Sequence, residues 1–197
     1  MSQRVRFAGG TLGSLSAAAL LLLLSYGRLV AAASPVEREA AIVSRALAFE
    51  RTLDSRVGRS SIGIAVIHKP QDAASERCGR EWREGFSALA NVKIQDRNVT
   101  LTSLPYNAEA VSRARSQGVD VFIVCSGLTQ ESNEISRASR AQHILTVGTL
   151  LPYVEQNMAF GVFQEQGKYH MVVNLRVAAA EGVSFSSSML KLARVLR

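Results

Sequence analysis

Three short apolar runs, rich in β-branched residues, constrain this 197-residue chain more than any other feature. They are IGIAVIH at 62–68, VDVFIVC at 119–125 and HILTV at 143–147. Each is too short for an ordinary helix and apolar on both alternating faces. That pattern fits strands buried on both sides, as in a parallel sheet covered by helices. The intervening stretches carry helical spacing. Ile42, Ala46, Phe49 and Leu53 recur on one face and predict a helix over 35–57, with Gly58 as its stop. Trp82, Phe86 and Leu89 predict a helix over 78–91, and alternation predicts a strand over 99–104. Further helices are expected over 108–117, 131–140 and 150–156, the last capped by Thr149. Strand and helix therefore alternate, which argues for parallel pairing with right-handed crossovers.

The tail departs from this alternation. Two strand patterns at 159–164 and 168–175 are separated by Glu165-Gln166-Gly167, a hairpin signal. A short helix over 177–181, stopped by Gly182, comes next. A last helix capped by Ser186 would carry Met189, Leu192 and Leu196 as an apolar stripe, with Lys191, Arg194 and Arg197 opposing its dipole. The expected fold is α/β: a three-layer sandwich whose mixed, mostly parallel sheet has helices on both faces and a C-terminal hairpin.

The first 33 residues read as an export signal. Arg4 and Arg6 give a positive start, Ala17 to Leu24 an apolar core, and Ala31-Ala32-Ala33 small residues for cleavage. Residues 34–197 would then form one domain outside the cytoplasm. The competing reading is a permanent anchor, since 7–27 is uncharged and just long enough to span a bilayer. Both readings place the domain outside the cytoplasm. No cysteine lies near the junction, so a lipid anchor is unavailable.

Loss of the leader removes Arg4, Arg6 and Arg28 but no acid, and lowers the formal charge from +7 to +4. The remaining cations are interleaved with acids, as in Glu76-Arg77 and Arg80-Glu81. No basic stripe with aromatics is present to follow a nucleic-acid backbone.

Cys78 and Cys125 are the two cysteines. In an oxidising compartment the simplest reading is a disulfide staple; a redox-responsive bond and free thiols are the alternatives. Cys125 ends a strand and Cys78 follows another, so both fall at the carboxyl edge of a parallel sheet. His68, Lys69, Ser126 and Gly127 should gather at the same edge, where parallel sheets bind ligands. They are the candidate ligand or partner edge; the competing reading is a plain turn and a solvated strand exit. His68, His143 and His170 lack metal-ligand spacing, so no metal and no other cofactor is expected. No nucleophile elbow or phosphate-binding glycine pattern occurs, and no catalytic residue is assigned. Asn174 is expected to satisfy backbone groups of its turn rather than a ligand.

The stretch VVNLRVAAAEGVSFSSSMLKLARVL resembles the closing motif of the YfiR/HmsC-like family of periplasmic proteins. Asn174, Leu175, Ala178, Gly182, Ser186, Leu190, Leu192 and Ala193 carry the match. The order of the upstream strands is similar as well. The family's aromatic first-helix start, followed by Trp-Pro, is replaced here by ALAFERTLDSRVG. The resemblance implies a non-enzymatic regulator. It implies a partner in the periplasmic part of an inner-membrane signalling protein such as a diguanylate cyclase, with cyclic-di-GMP and biofilm output as the readout. Some family members use disulfides to stay folded. A homodimer stays open, and the alternative function is a periplasmic small-ligand binding protein related to ABC-transporter substrate-binding domains.

Overall fold

The computed structural model describes residues 33–89 and 92–197, so the expected leader lies outside the described residues up to Ala33. The elements run α1 (Pro35–Ala48), α2 (Leu53–Arg56), β1 (Ser61–His68), α3 (Ala73–Ala88), β2 (Asn98–Pro105), α4 (Ala108–Ser112), a 3-10 turn (Ala114–Gln117) and β3 (Val121–Val124). Then come α5 (Ser132–Gln142), β4 (Leu145–Gly148), α6 (Leu151–Gln156), β5 (Phe160–Glu165), β6 (Lys168–Asn174), α7 (Leu175–Ala180), α8 (Ser187–Leu190) and β7 (Ala193–Leu196). The strands form one sheet in the order β2-β1-β3-β4-β5-β6-β7. The first five in this order are parallel, β6 is antiparallel to β5, and β7 is parallel to β6. This is the mixed, mostly parallel α/β sheet that the alternation predicts.

The apolar runs lack polar alternation because both faces are covered. Ile64 and Val66 of β1 and Ile123 of β3 pack with Val43, Leu47, Trp82 and Phe86 of α1 and α3. Their neighbours Ala65, Ile67, Phe122 and Val124 pack on the other side with Val111, Ile135 and Tyr153 of α4, α5 and α6. Gly63 is required by a close approach, because a side chain there would collide with the Gly118 carbonyl.

Four local expectations are corrected. The helix over 35–57 breaks after Ala48, where the chain turns in to pair Glu50 with Phe185. The buried Glu50 carboxylate accepts from the Thr52 amide at 2.6 Å and from Arg56 at 2.9 Å, and this holds the break. The helix expected from Cys78 begins five residues earlier, because Asp72 caps it through the amides of Ala74 and Ser75, both at 3.0 Å. Thr149 does not cap α6; its hydroxyl donates to the Val124 carbonyl at 3.0 Å, and Pro152 starts that helix instead. The expected last helix survives only as the short α8. Ala193–Leu196 becomes β7 and pairs with Met171–Asn174. A helix there would leave the ladder groups of β6 unpaired, which costs more than the helical propensity of so short a segment returns.

Candidate functional site

Parallel strands end together, so β1, β2, β3 and β4 deliver His68, Pro105, Val124 and Gly148 to one edge of the sheet. The residues singled out there do not form an open pocket of free groups. Lys69 is held twice: its amide donates to the Ser75 hydroxyl at 2.8 Å, and its ammonium pairs with Glu131 at 2.9 Å. The His68 ring lies against α3, where a Cβ on Gly79 would come within 3.3 Å of Nδ1; this nitrogen is buried without a partner. Oε2 of Glu131 is likewise buried and unpaired. Ser126-Gly127 makes a turn with Gly127 at φ +87°, and a side chain at Gly127 would meet the Asp72 carboxylate at 2.8 Å. Tyr106 borders the edge and donates its hydroxyl to Glu134 at 2.8 Å. Burial, reinforced by that carboxylate, pushes the Tyr106 phenol up to about 12.

The cysteines meet at this edge. Both are free thiols in this structure, and Cys78 lies in hydrogen-bonding contact with Cys125. The contact with Cys125, and after it the nearby Ser126 backbone and Thr149 side chain, lower the Cys78 thiol against the opposing effect of burial. Cys125 is pushed up, first by its bond to Cys78 and then by burial. Cys78 is therefore the thiol that ionises first.

Asn174, Gly182 and Ser186 lie away from that edge. The Asn174 carbonyl oxygen accepts from the Val177 amide at 3.3 Å and its amide donates to the Val154 carbonyl at 2.9 Å. Gly182 has φ +74°, and a Cβ there would sit 3.0 Å from His143 Nδ1. The Ser186 hydroxyl accepts from the Met189 amide at 3.3 Å.

Three buried acids went unmarked by the pattern reading: Glu50, which holds the break after α1, Asp120 and Glu181. Asp120 is fully buried at the start of β3. It accepts from the Gly63 amide at 2.8 Å, from Arg115 at 2.5 Å, and from Arg59. A single acid inside VDVFIVC was the available signal, because a charge in a doubly covered strand must find partners. Glu181 is also fully buried and binds Ser139 and Thr146. In AAAEG it reads as an ordinary polar helix end, so local sequence carried no signal. Among the described residues, no three His, Cys, Asp or Glu side chains converge as a metal site. No helix among them is long and apolar enough to cross a membrane.

The family model described as YfiR/HmsC-like matches residues 37–194. The chain belongs to that family. This YfiR/HmsC-like membership supports a periplasmic regulatory domain. No curated protein matches the chain. Among solved structures, a Vibrio cholerae conserved domain protein is 13% identical at a TM-score of 0.58, over 83% of this chain and 60% of that one. An ABC domain from Streptococcus pneumoniae, solved with L-Trp, is 11% identical at 0.57, over 82% of this chain and 62% of that one. A Clostridium difficile substrate-binding protein in its ligand-free, open form is 12% identical at 0.50, over 74% and 57%. The YfiR/HmsC-like chain thus spans about six tenths of the length of these proteins, and the likeness is one of fold.

Proposed function

We propose that this protein is an exported regulator that holds the extracytoplasmic part of an inner-membrane signalling protein, such as a diguanylate cyclase, in its inactive conformation. The observation that carries this reading is the family match across 37–194. Regulation of this kind requires a higher affinity for one of the partner's two states than for the other. The contact face in this reading is the carboxyl edge at His68, Lys69, Ser126 and Gly127. There the Lys69–Glu131 pair and two unpaired buried polar atoms, His68 Nδ1 and Glu131 Oε2, stand beside the Ser126-Gly127 turn.

The test is deletion of the gene with cyclic-di-GMP as the readout, together with copurification of the partner from membranes. Deletion is expected to raise cyclic-di-GMP, and Lys69→Glu in an otherwise folded protein is expected to weaken copurification. Unchanged cyclic-di-GMP with no membrane partner recovered would overturn the proposal.

One finding favours a second reading, a small-ligand binding protein: two of the similar folds are an ABC domain with L-Trp and a substrate-binding protein. Its ligand would sit at the same edge. A metabolite that raises the melting temperature by several degrees, and does so less in Lys69→Glu, would decide for this reading.

A further inference from the structure

The sheet has two edges of opposite character. β7 is four residues long, carries Arg194, and is flanked by Lys191 and Arg197. A short, charged edge deters pairing with another chain. β2 at the other edge is eight residues long, NVTLTSLP, with no charge, no glycine, and proline only at its last position. Its backbone direction follows from its ends. The amides of Asn98 and Tyr106 donate to Ser60 and His68 at 3.2 and 2.8 Å, so even-numbered residues turn their backbone groups toward β1. The N–H and C=O groups of Val99, Leu101 and Ser103 therefore point away from the sheet. Among the described residues these groups have no partner.

This row is self-complementary. With a second copy laid antiparallel about a dyad at Leu101, Leu101 faces its own image and Val99 faces Ser103. Each facing pair exchanges both of its backbone bonds. Thr100 then stands opposite Thr102, a favoured cross-strand pair, and Asn98 opposite Leu104. Arg97 falls opposite Pro105, so no two cations meet, and Arg97 is already paired with Asp54 at 2.6 Å. A body of net positive charge repels a copy of itself least along an uncharged edge. The apolar side also has something to cover. Val99 and Leu101, with Phe86, Leu89 and the exposed Val92, line a cavity of about 220 Å³ beside this edge.

We infer that β2 is a self-association edge, through which two copies pair antiparallel by the outward backbone groups of Val99, Leu101 and Ser103. A single sheet then runs through both copies.

The test is the mass in solution of protein produced from the full chain, by light scattering across its soluble concentration range. The wild type is expected to reach dimer mass. Thr100→Lys with Thr102→Lys sets lysine opposite lysine at exposed positions and is expected to give a monomer with an unchanged circular dichroism spectrum. Ser103→Pro deletes one outward N–H without touching the β1 ladder, and is expected to weaken the dimer by about tenfold or more. Mixing the double-lysine variant with Thr100→Glu, Thr102→Glu should restore a dimer. A wild type that stays monomeric throughout, or a dimer that survives both variants, overturns the inference. So does a monomeric wild type that binds a different protein in a Ser103→Pro-sensitive way, which would assign the edge to a donated strand.

Discussion

Glu181, at the end of α7, accepts the backbone amide of Thr146 at 2.9 Å and the Thr146 hydroxyl at 2.6 Å, and so ties the C-terminal segment to the middle of the sheet. The Thr146 hydroxyl oxygen in turn accepts the Ala159 amide at 2.9 Å, so its own hydrogen must go to Glu181. Ser139 on α5 approaches the same carboxylate at 3.1 Å. Burial raises the Glu181 pKa from 4.5 to about 7, and the donors and Arg140 only partly offset it. The folded protein therefore holds a proton that the unfolded chain has released. Stability from this group is full below pH 4.5 and is lost as pH rises to about 7. The upper limit of that loss is about 3 kcal/mol. Glu39 on α1, half-buried, is pushed the same way to about 7, so both groups act in one window. Urea unfolding across this window should show a smaller decline in Glu181→Gln than in the wild type. Equal declines would remove Glu181 as a cause.

The contact between Cys78 and Cys125 leads to a second expectation. A lowered Cys78 thiol beside a second thiol is ready to be oxidised, and an oxidising compartment supplies the oxidant. Protein recovered from the periplasm is expected to resist alkylation at both cysteines until it is reduced. By the chain-entropy relation, the closed loop stabilises by about 4 kcal/mol at most, so Cys78→Ser should melt below the oxidised wild type but level with the reduced one. Full alkylation of native, unreduced protein would show that the thiols stay free.

The parallel core was legible because β1, β3 and β4 lie under helices on both faces, and double burial leaves an uninterrupted apolar run that few other structures produce. The hairpin was legible from the glycine of Glu165-Gln166-Gly167, because Gly167 takes φ 78°, where glycine is favoured. What escaped was set by distant partners. Leu53 continues the stripe of α1, yet the chain bends before it because Arg51 donates to the Ser184 carbonyl, far along the chain, at 2.7 Å. Leu192 and Leu196 sit at helical spacing in the tail, yet the open side of β6 claims Leu196 for a strand. At the candidate edge, topology gathered His68, Lys69, Ser126 and the cysteines. Glu131 and Tyr106, which pair and border them, come from helix-start and loop positions with no pattern of their own.

Asp120 tests the opposite end of the strands. Its carboxylate binds Arg59, Arg115 and the Gly63 amide while fully buried, and a neutral replacement strands two guanidinium groups beside a closed core. Removing one partner of such a network costs about 3–5 kcal/mol. Asp120→Ala is expected to lose that much in urea unfolding, with Asp120→Asn between it and the wild type. A loss below about 1 kcal/mol, the range of a surface pair, would mean that the arginines are satisfied by solvent.

The last strand distinguishes two structures of the same sequence. As a helix end, residues 193–197 would fray, and their removal would cost little. As β7, they pair with Met171–Asn174 and shield Val172 and Val173, both buried. At about 0.5–1.5 kcal/mol for each ladder bond lost, truncation after Leu192 is expected to destabilise by about 2–4 kcal/mol. It also uncovers the side of β6, so the shortened protein should aggregate beyond the dimer that the full chain forms. The β2 edge separates this effect from ordinary dimer formation. Truncated protein that also carries Thr100→Lys and Thr102→Lys should still aggregate, whereas the same lysines in the full chain should leave a monomer. A truncated chain as stable and soluble as the full one would show that these residues do not form the edge strand.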